Sequence, residues 1–119
     1  MQYLLMIYSN EAEYAKIDPA TSKKIMGEYE AFTKDIVQSG NFKAGDGLQP
    51  TTTATTVRVR EGKTLTTDGP FVGMKEAVGG FFVLEADDLD AAIEVAARVP
   101  AARLGGAIEI RPSEAYWQK

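Results

Sequence analysis

The chain has 119 residues, 45% apolar and 25% charged, with a net charge of −4 and neither cysteine nor histidine. Without cysteine there are no disulfides, thiolate metal sites or cysteine nucleophiles, which fits a reducing, cytoplasmic compartment. Without histidine the usual neutral-pH acid–base, the serine-triad base and the commonest transition-metal and haem ligand are all excluded, so any proton chemistry falls to Asp, Glu, Lys or Tyr.

The length suits one domain over residues 1–119. A chain of this size buries roughly two-thirds of the surface it exposes when unfolded, enough for a core without staples. Lys and Arg are scattered, with no basic stripe, so no direct nucleic-acid contact is expected. The opening "MQYLLMIYSN" is apolar but short and lacks a basic leader. No later segment approaches the roughly 18 apolar residues of a membrane span, so no membrane contact is expected either.

Residues 2–8, "QYLLMIY", read as a strand with Leu5 and Ile7 on one face and Leu4 and Met6 on the other. Both faces are apolar, so both call for cover. "SNEAEYAKIDPAT" is a polar connection with room for a helical turn. Asp18 then caps a helix with Pro19 at its first position, running to about Ser39 and stopping at Gly40. Ile25, Met26, Tyr29, Phe32, Ile36 and Val37 make its apolar stripe, which assigns Tyr29 and Phe32 to the core.

"NFKAGDGLQP" reads as a short strand ending in a glycine-rich turn, and "TTTATTVRVREGKTLTTDGPF" as a β-hairpin turning at Glu61-Gly62. A two-residue loop would set Arg60 against Lys63. A three-residue loop sets Val59 against Leu65, which packs better and is preferred. "VGMKEAV" connects to "GGFFVLEA", a strand apolar on both faces. Asp87 or Asp88 caps a second helix over 88–99, with Leu89, Ala92, Ile93 and Ala96 inward and Pro100 ending it. "GAIEIRP" is the last strand, Ile108 and Ile110 alternating with Glu109 and Arg111.

Without the hairpin the order is βαββαβ: an α+β, ferredoxin-like arrangement with two helices on one face of a four-stranded antiparallel sheet. The other face keeps Tyr, Leu, Met, Phe and Val from the first and fourth strands. At roughly 1.5–3 kcal/mol each for burial, these side chains call for a lid, and a second copy of the sheet supplies it. A homodimer with sheets face to face is expected, with a pocket between sheet and loops.

"TTDGPF", then "KEAVGGFFVLEADDLDAAIEVAARVPAA" and "IEIRP", after "YLLMIYSNE" and with "GDGLQP" between, resembles the DGPF-domain branch of the YCII-related family over nearly the whole chain. The resemblance implies a dimeric α+β barrel of ferredoxin-like halves. Some members of the wider family are associated with a His–Asp acid–base pair, the His following the proline that opens the first helix. Thr21 stands there in Pro19-Ala20-Thr21, so that chemistry does not carry over. The branch usually follows its motif with a small residue, an acid and a Thr before Lys-Glu, where this chain has Val72-Gly73-Met74. Many members lie beside, or are fused to, alternative sigma factors, which implies a transcription-regulatory protein partner.

Asp68 has two readings that can hold together. In one, its carboxylate accepts N–H groups in an Asx-type turn, with Gly69 permissive and Pro70 sending Phe71 into the core. In the other, it is a carboxylate at a strand end, desolvated by Phe71 and poised as catalytic base or ligand acceptor. Lys75 and Glu76 are either solvated charges, or one of them turns in to close the pocket over Asp68. Tyr8 would offer a hydroxyl to a ligand or serve as a core tyrosine. Arg111, on the sheet face away from the helices, would clamp a carboxylate or pair with Glu109. Gln49 would reach the cleft as an amide. "GDGLQP" lacks the spacing and the Lys-Ser/Thr ending of a phosphate loop. Nothing fixes Asp46, Asp68, Glu76 and Glu109 as metal ligands, and no metal or other cofactor is expected.

Two functions of different class follow. One is a small-molecule binder or enzyme of isomerase or lyase type, with Asp68 as acid–base or acceptor and Tyr8, Gln49, Lys75 and Arg111 around an organic acid or lactone-like ligand. The other is a non-catalytic dimeric regulatory module beside a sigma-factor-type system.

Overall fold

Strand β1 (Gln2–Ser9) buries Tyr3, Leu5 and Ile7 on one side and leaves Leu4, Met6 and Tyr8 half-buried on the other, the alternation of a pleated strand. In the computed structural model, which describes residues 1–73 and 75–116, two side chains then start helices. Asn10 accepts the Glu13 N–H at 3.1 Å and opens the one-turn α1 (Glu11–Tyr14). Asp18 accepts both the backbone N–H (2.9 Å) and the hydroxyl (2.8 Å) of Thr21 and opens α2 (Pro19–Gln38). Pro19 sits in that helix's first turn, where its missing N–H costs nothing. Gly40, at φ 83°, reverses the chain after α2.

The remaining elements are β2 (Phe42–Gly47), a 3₁₀ turn at Thr51–Thr53, β3 (Thr55–Arg60), β4 (Lys63–Asp68), β5 (Ala77–Glu85), α3 (Leu89–Ala97), α4 (Pro100–Arg103) and β6 (Ala107–Pro112). Strands β2, β5, β1 and β6 form one antiparallel sheet in that order, with β1 against both β5 and β6. This is the ferredoxin-like βαββαβ order, and β3–β4 is a hairpin inserted into it.

Leu5, Ile36, Leu84 and Val99 are the largest fully buried side chains, and the Phe32 and Phe82 rings meet edge to face at 5.4 Å. The core lies between the sheet and its helices. On the opposite face Leu4, Met6 and Tyr8 meet Val83, Phe81 and Val78 across the β1–β5 pairing. No helix crosses that face; among the described residues it is the bare side of the sheet. Its apolar character is the one read from the sequence.

Four details differ from the sequence reading. The helix α2 stripe is narrower: Met26 and Val37 are 63% and 53% exposed, because only the centre of a helix's arc reaches a flat sheet. In α3 the inward residues are Ala92, Val95 and Ala96, whereas Leu89 and Ile93 face outward. Small side chains at the contact let this short helix approach closely. Pro100 does more than end α3: it opens α4, whose Pro100 and Ala101 are buried.

The hairpin turns in two residues, pairing Arg60 with Lys63 and Val59 with Thr64. Glu61 and Gly62 have φ of 50° and 76°, the paired positive values of a type I′ turn, whose twist matches that of the flanking strands. Backbone twist outweighs repulsion between two exposed cations. Val57 and Val59 thus share one face, and Leu65 lies on the other beside Arg58. Every residue of β4 is exposed. The hairpin stands off the core as an arm, and the radius of gyration is 16.2 Å, against about 13.5 Å for a compact chain of this length.

Candidate functional site

Gly47 pairs with Gly80 and Gly45 with Phe82 across β2 and β5. Where two glycines face each other there are no side chains to fill the space between sheet and helix. A Cβ at Gly47 would meet nothing within 4 Å, whereas one at Gly45 would lie 2.6 Å from the Phe82 ring. The result is an open cleft of about 1180 Å³ on the helix side of the sheet. Gly45, Gly47, Gly79 and Gly80 form its floor, and Met26, Tyr29 and Thr33 of α2 its roof. One end is framed by α1 and the Leu48–Pro50 loop.

Two hydrogen bonds hold that frame. Thr51 donates its backbone N–H to Glu11 Oε1 at 2.9 Å and its hydroxyl to Glu11 Oε2 at 2.6 Å. Behind the roof, Arg98 pairs with Asp35 and Arg103 with Glu28, tying α3 and α4 to α2. Both pairs are partly exposed, so they orient the helices more than they stabilise them.

Burial raises the Tyr29 hydroxyl above its ordinary pKa, nearby Tyr14 adds to the rise, and the Ala101 backbone N–H offsets part of it. Tyr14 is raised too, by burial and then by the Glu28 charge. Both phenols therefore keep their protons at neutral pH and are available as donors. Among the described residues no group of three acids approaches closely enough to hold a metal ion.

The residues singled out from the sequence fall in three places. Tyr8 and Arg111 share the bare sheet face. Tyr8 is opposite Ala107, and Arg111 is opposite Leu4, four positions along β6, about 13 Å at a strand's rise per residue. Gln49 is exposed between Leu48 and Pro50, on the loop that frames the cleft. Asp68 ends β4 opposite Thr55, exposed, and Lys75 is exposed on the return to β5. None of the five lines the cleft.

The turn after Asp68 is held by its neighbours: Gly69 donates its N–H to Ala54 O at 2.8 Å and accepts the Thr56 hydroxyl at 2.8 Å. Among the described residues no hydrogen bond engages the Asp68 carboxylate. Phe71 is not a core residue: it is 67% exposed, with the Arg58 guanidinium 4.7 Å from its ring centroid. The inserted hairpin leads the chain away from the core at that point. Met74, the last of the three residues that depart from the DGPF pattern, lies outside the described residues.

The cleft itself was not read from the sequence. Its signals were the glycine pairs in "AGDG" and "VGGF", and Tyr29, which both packs against the core and lines the cleft.

A four-stranded antiparallel sheet under two long-range crossover helices, with a glycine-floored cleft between the layers, defines an α+β protein of ferredoxin-like fold. Residues 1–114 match the YCII-related domain, and the chain belongs to that family. It is 30% identical to an uncharacterised protein of Rhizobium meliloti (strain 1021) over 117 residues, 98% of this chain and 94% of that one.

Proposed function

We propose that this YCII-related protein binds a small organic molecule in the cleft between α2 and the β2–β5 glycines. The observation that carries the reading is the space itself. A cleft of about 1180 Å³ with a predominantly apolar lining and a few hydroxyls is somewhat larger than the roughly 300–1,000 Å³ of most ligand sites and leaves room for a small organic molecule. Its opening is braced by the Glu11–Thr51 pair rather than collapsed.

The second half of the reading is a homodimer formed through the bare sheet face. Leu4, Met6, Phe81 and Val83 make a continuous apolar centre there. Covering side chains of this kind contributes roughly 1.5–3 kcal/mol each. Tyr8 and Arg111 would then lie in the interface. Asp68 and Lys75 stand on the arm and its return, so their roles toward a ligand would come from an arm closing over a second subunit.

The test is a thermal-shift screen of small organic molecules on the full chain and on Gly47→Leu. A Cβ at Gly47 meets nothing within 4 Å, so the variant should fold and melt like the parent. Ligands that stabilise the parent should lose their effect in the variant. Ligand shifts of equal size in both would refute the cleft. Sedimentation of Met6→Lys should show a monomer where the parent is a dimer.

A further inference from the structure

We propose that the cleft under α2 takes an uncharged ligand, an aromatic or alicyclic body bearing a carbonyl or ether oxygen. This rests on the cleft being the ligand site and names the chemistry that fits it. Four charged residues line the cleft: Glu11, Glu30, Lys34 and Asp46. The Glu11 carboxylate is occupied on both oxygens by Thr51. Asp46 pairs with Phe81, on the opposite pleat from the glycine floor, and its carboxylate accepts the Gly47 N–H at 2.8 Å. Glu30 and Lys34 are exposed on α2, one helical turn apart and opposite in sign, so together they give the cleft no net charge.

What remains inside is neutral. Ile7, Phe42 and Phe82 supply apolar surface, and Ser9, Tyr29 and Thr33 supply hydroxyls. A carboxylate or ammonium group entering this space sheds water, while the nearest charges of opposite sign stand exposed on α2 or on the far pleat of β2. An uncharged oxygen sheds far less and gains a donor. Tyr29 is that donor: it lines the cleft, and its phenol keeps its O–H at neutral pH.

Calorimetry on the full chain with four probes of similar size tests this: benzylacetone, phenylpropionate, phenylpropylamine and butylbenzene. Benzylacetone should bind tightest, with both ions weaker by about ten-fold or more. Tyr29→Phe should weaken benzylacetone and leave butylbenzene unchanged, a difference that loss of packing alone would not produce. An ion binding as tightly as the ketone overturns the uncharged class; if Gly47→Leu abolishes that binding, the cleft itself stands. Equal losses for ketone and hydrocarbon in Tyr29→Phe overturn the role of the hydroxyl. Failure of all four to bind also overturns the class, and the screen with Gly47→Leu then reports separately whether the cleft binds anything.

Discussion

Glu11 and Thr51 are joined by two hydrogen bonds, 2.9 Å from the backbone N–H and 2.6 Å from the hydroxyl, across forty positions of sequence. One is on the single-turn α1 and the other on the 3₁₀ turn after β2, two pieces too short to hold themselves in place. Glu11→Ala would leave the Thr51 N–H without its acceptor. Charge-assisted hydrogen bonds contribute about 1.5–3 kcal/mol when buried and less at a half-exposed site such as this. Amide exchange at Thr51 should accelerate in Glu11→Ala with little change in β1 or β5. Unchanged exchange would show that the frame does not depend on this pair.

Phe82 touches two rings, Phe32 at 5.4 Å and Phe42 at 6.3 Å, both edge to face. It joins the core under α2 to the wall of the cleft. Phe82→Ala should cost about 3–5 kcal/mol in urea unfolding. Ile36→Val, a single methylene at a fully buried site, should cost about 0.5–1.5 kcal/mol. Near-equal costs would mean that the aromatic contact is not the centre of the core.

Alkaline stability should follow the two phenols. Burial raises Tyr29, and burial with the Glu28 charge raises Tyr14, above the ordinary 10.0. Between 10.0 and the raised values the folded chain holds more protons than the unfolded one. The contribution is therefore complete below that window and is lost as pH rises through it. Tyr29→Phe should flatten the fall in unfolding midpoint on the alkaline side. An identical alkaline slope in the variant would contradict the shift.

Asp18 runs the other way. The Thr21 backbone N–H, then the Thr21 hydroxyl, hold its carboxyl below the ordinary 3.8. The stability it confers is present above that value and lost as pH falls through the depressed one. Asp18→Asn keeps a capping oxygen but removes the charge, so its stability should depend less on pH on the acid side. A melting series in acid compares the two directly.

The hairpin turn is one substitution from its preferred chemistry. Glu61 occupies a position at φ 50° that asparagine adopts more readily. Glu61→Asn should slow amide exchange within β3 and β4. Because the arm packs mainly on itself, the global unfolding midpoint should hardly move. A large rise in that midpoint would show the arm to be part of the cooperative core.

Local chemistry was legible in the sequence. Alternation in "QYLLMIY" and "GGFFVLEA", the caps at Asp18 and at Asp87 or Asp88, which the structure assigns to Asp88, and the stop at Gly40 each depend on a few neighbouring residues. Together they determine the ferredoxin-like order and an apolar sheet face with no helix over it. What tertiary structure decided was which residues meet. The hairpin register followed backbone twist rather than side-chain pairing, and Phe71 went outward with the arm. The cleft exists because Gly47 and Gly80, far apart in the chain, are brought opposite each other by the β2–β5 register. An empty space has no residues of its own, so no local pattern announces it until the strands that bound it are paired.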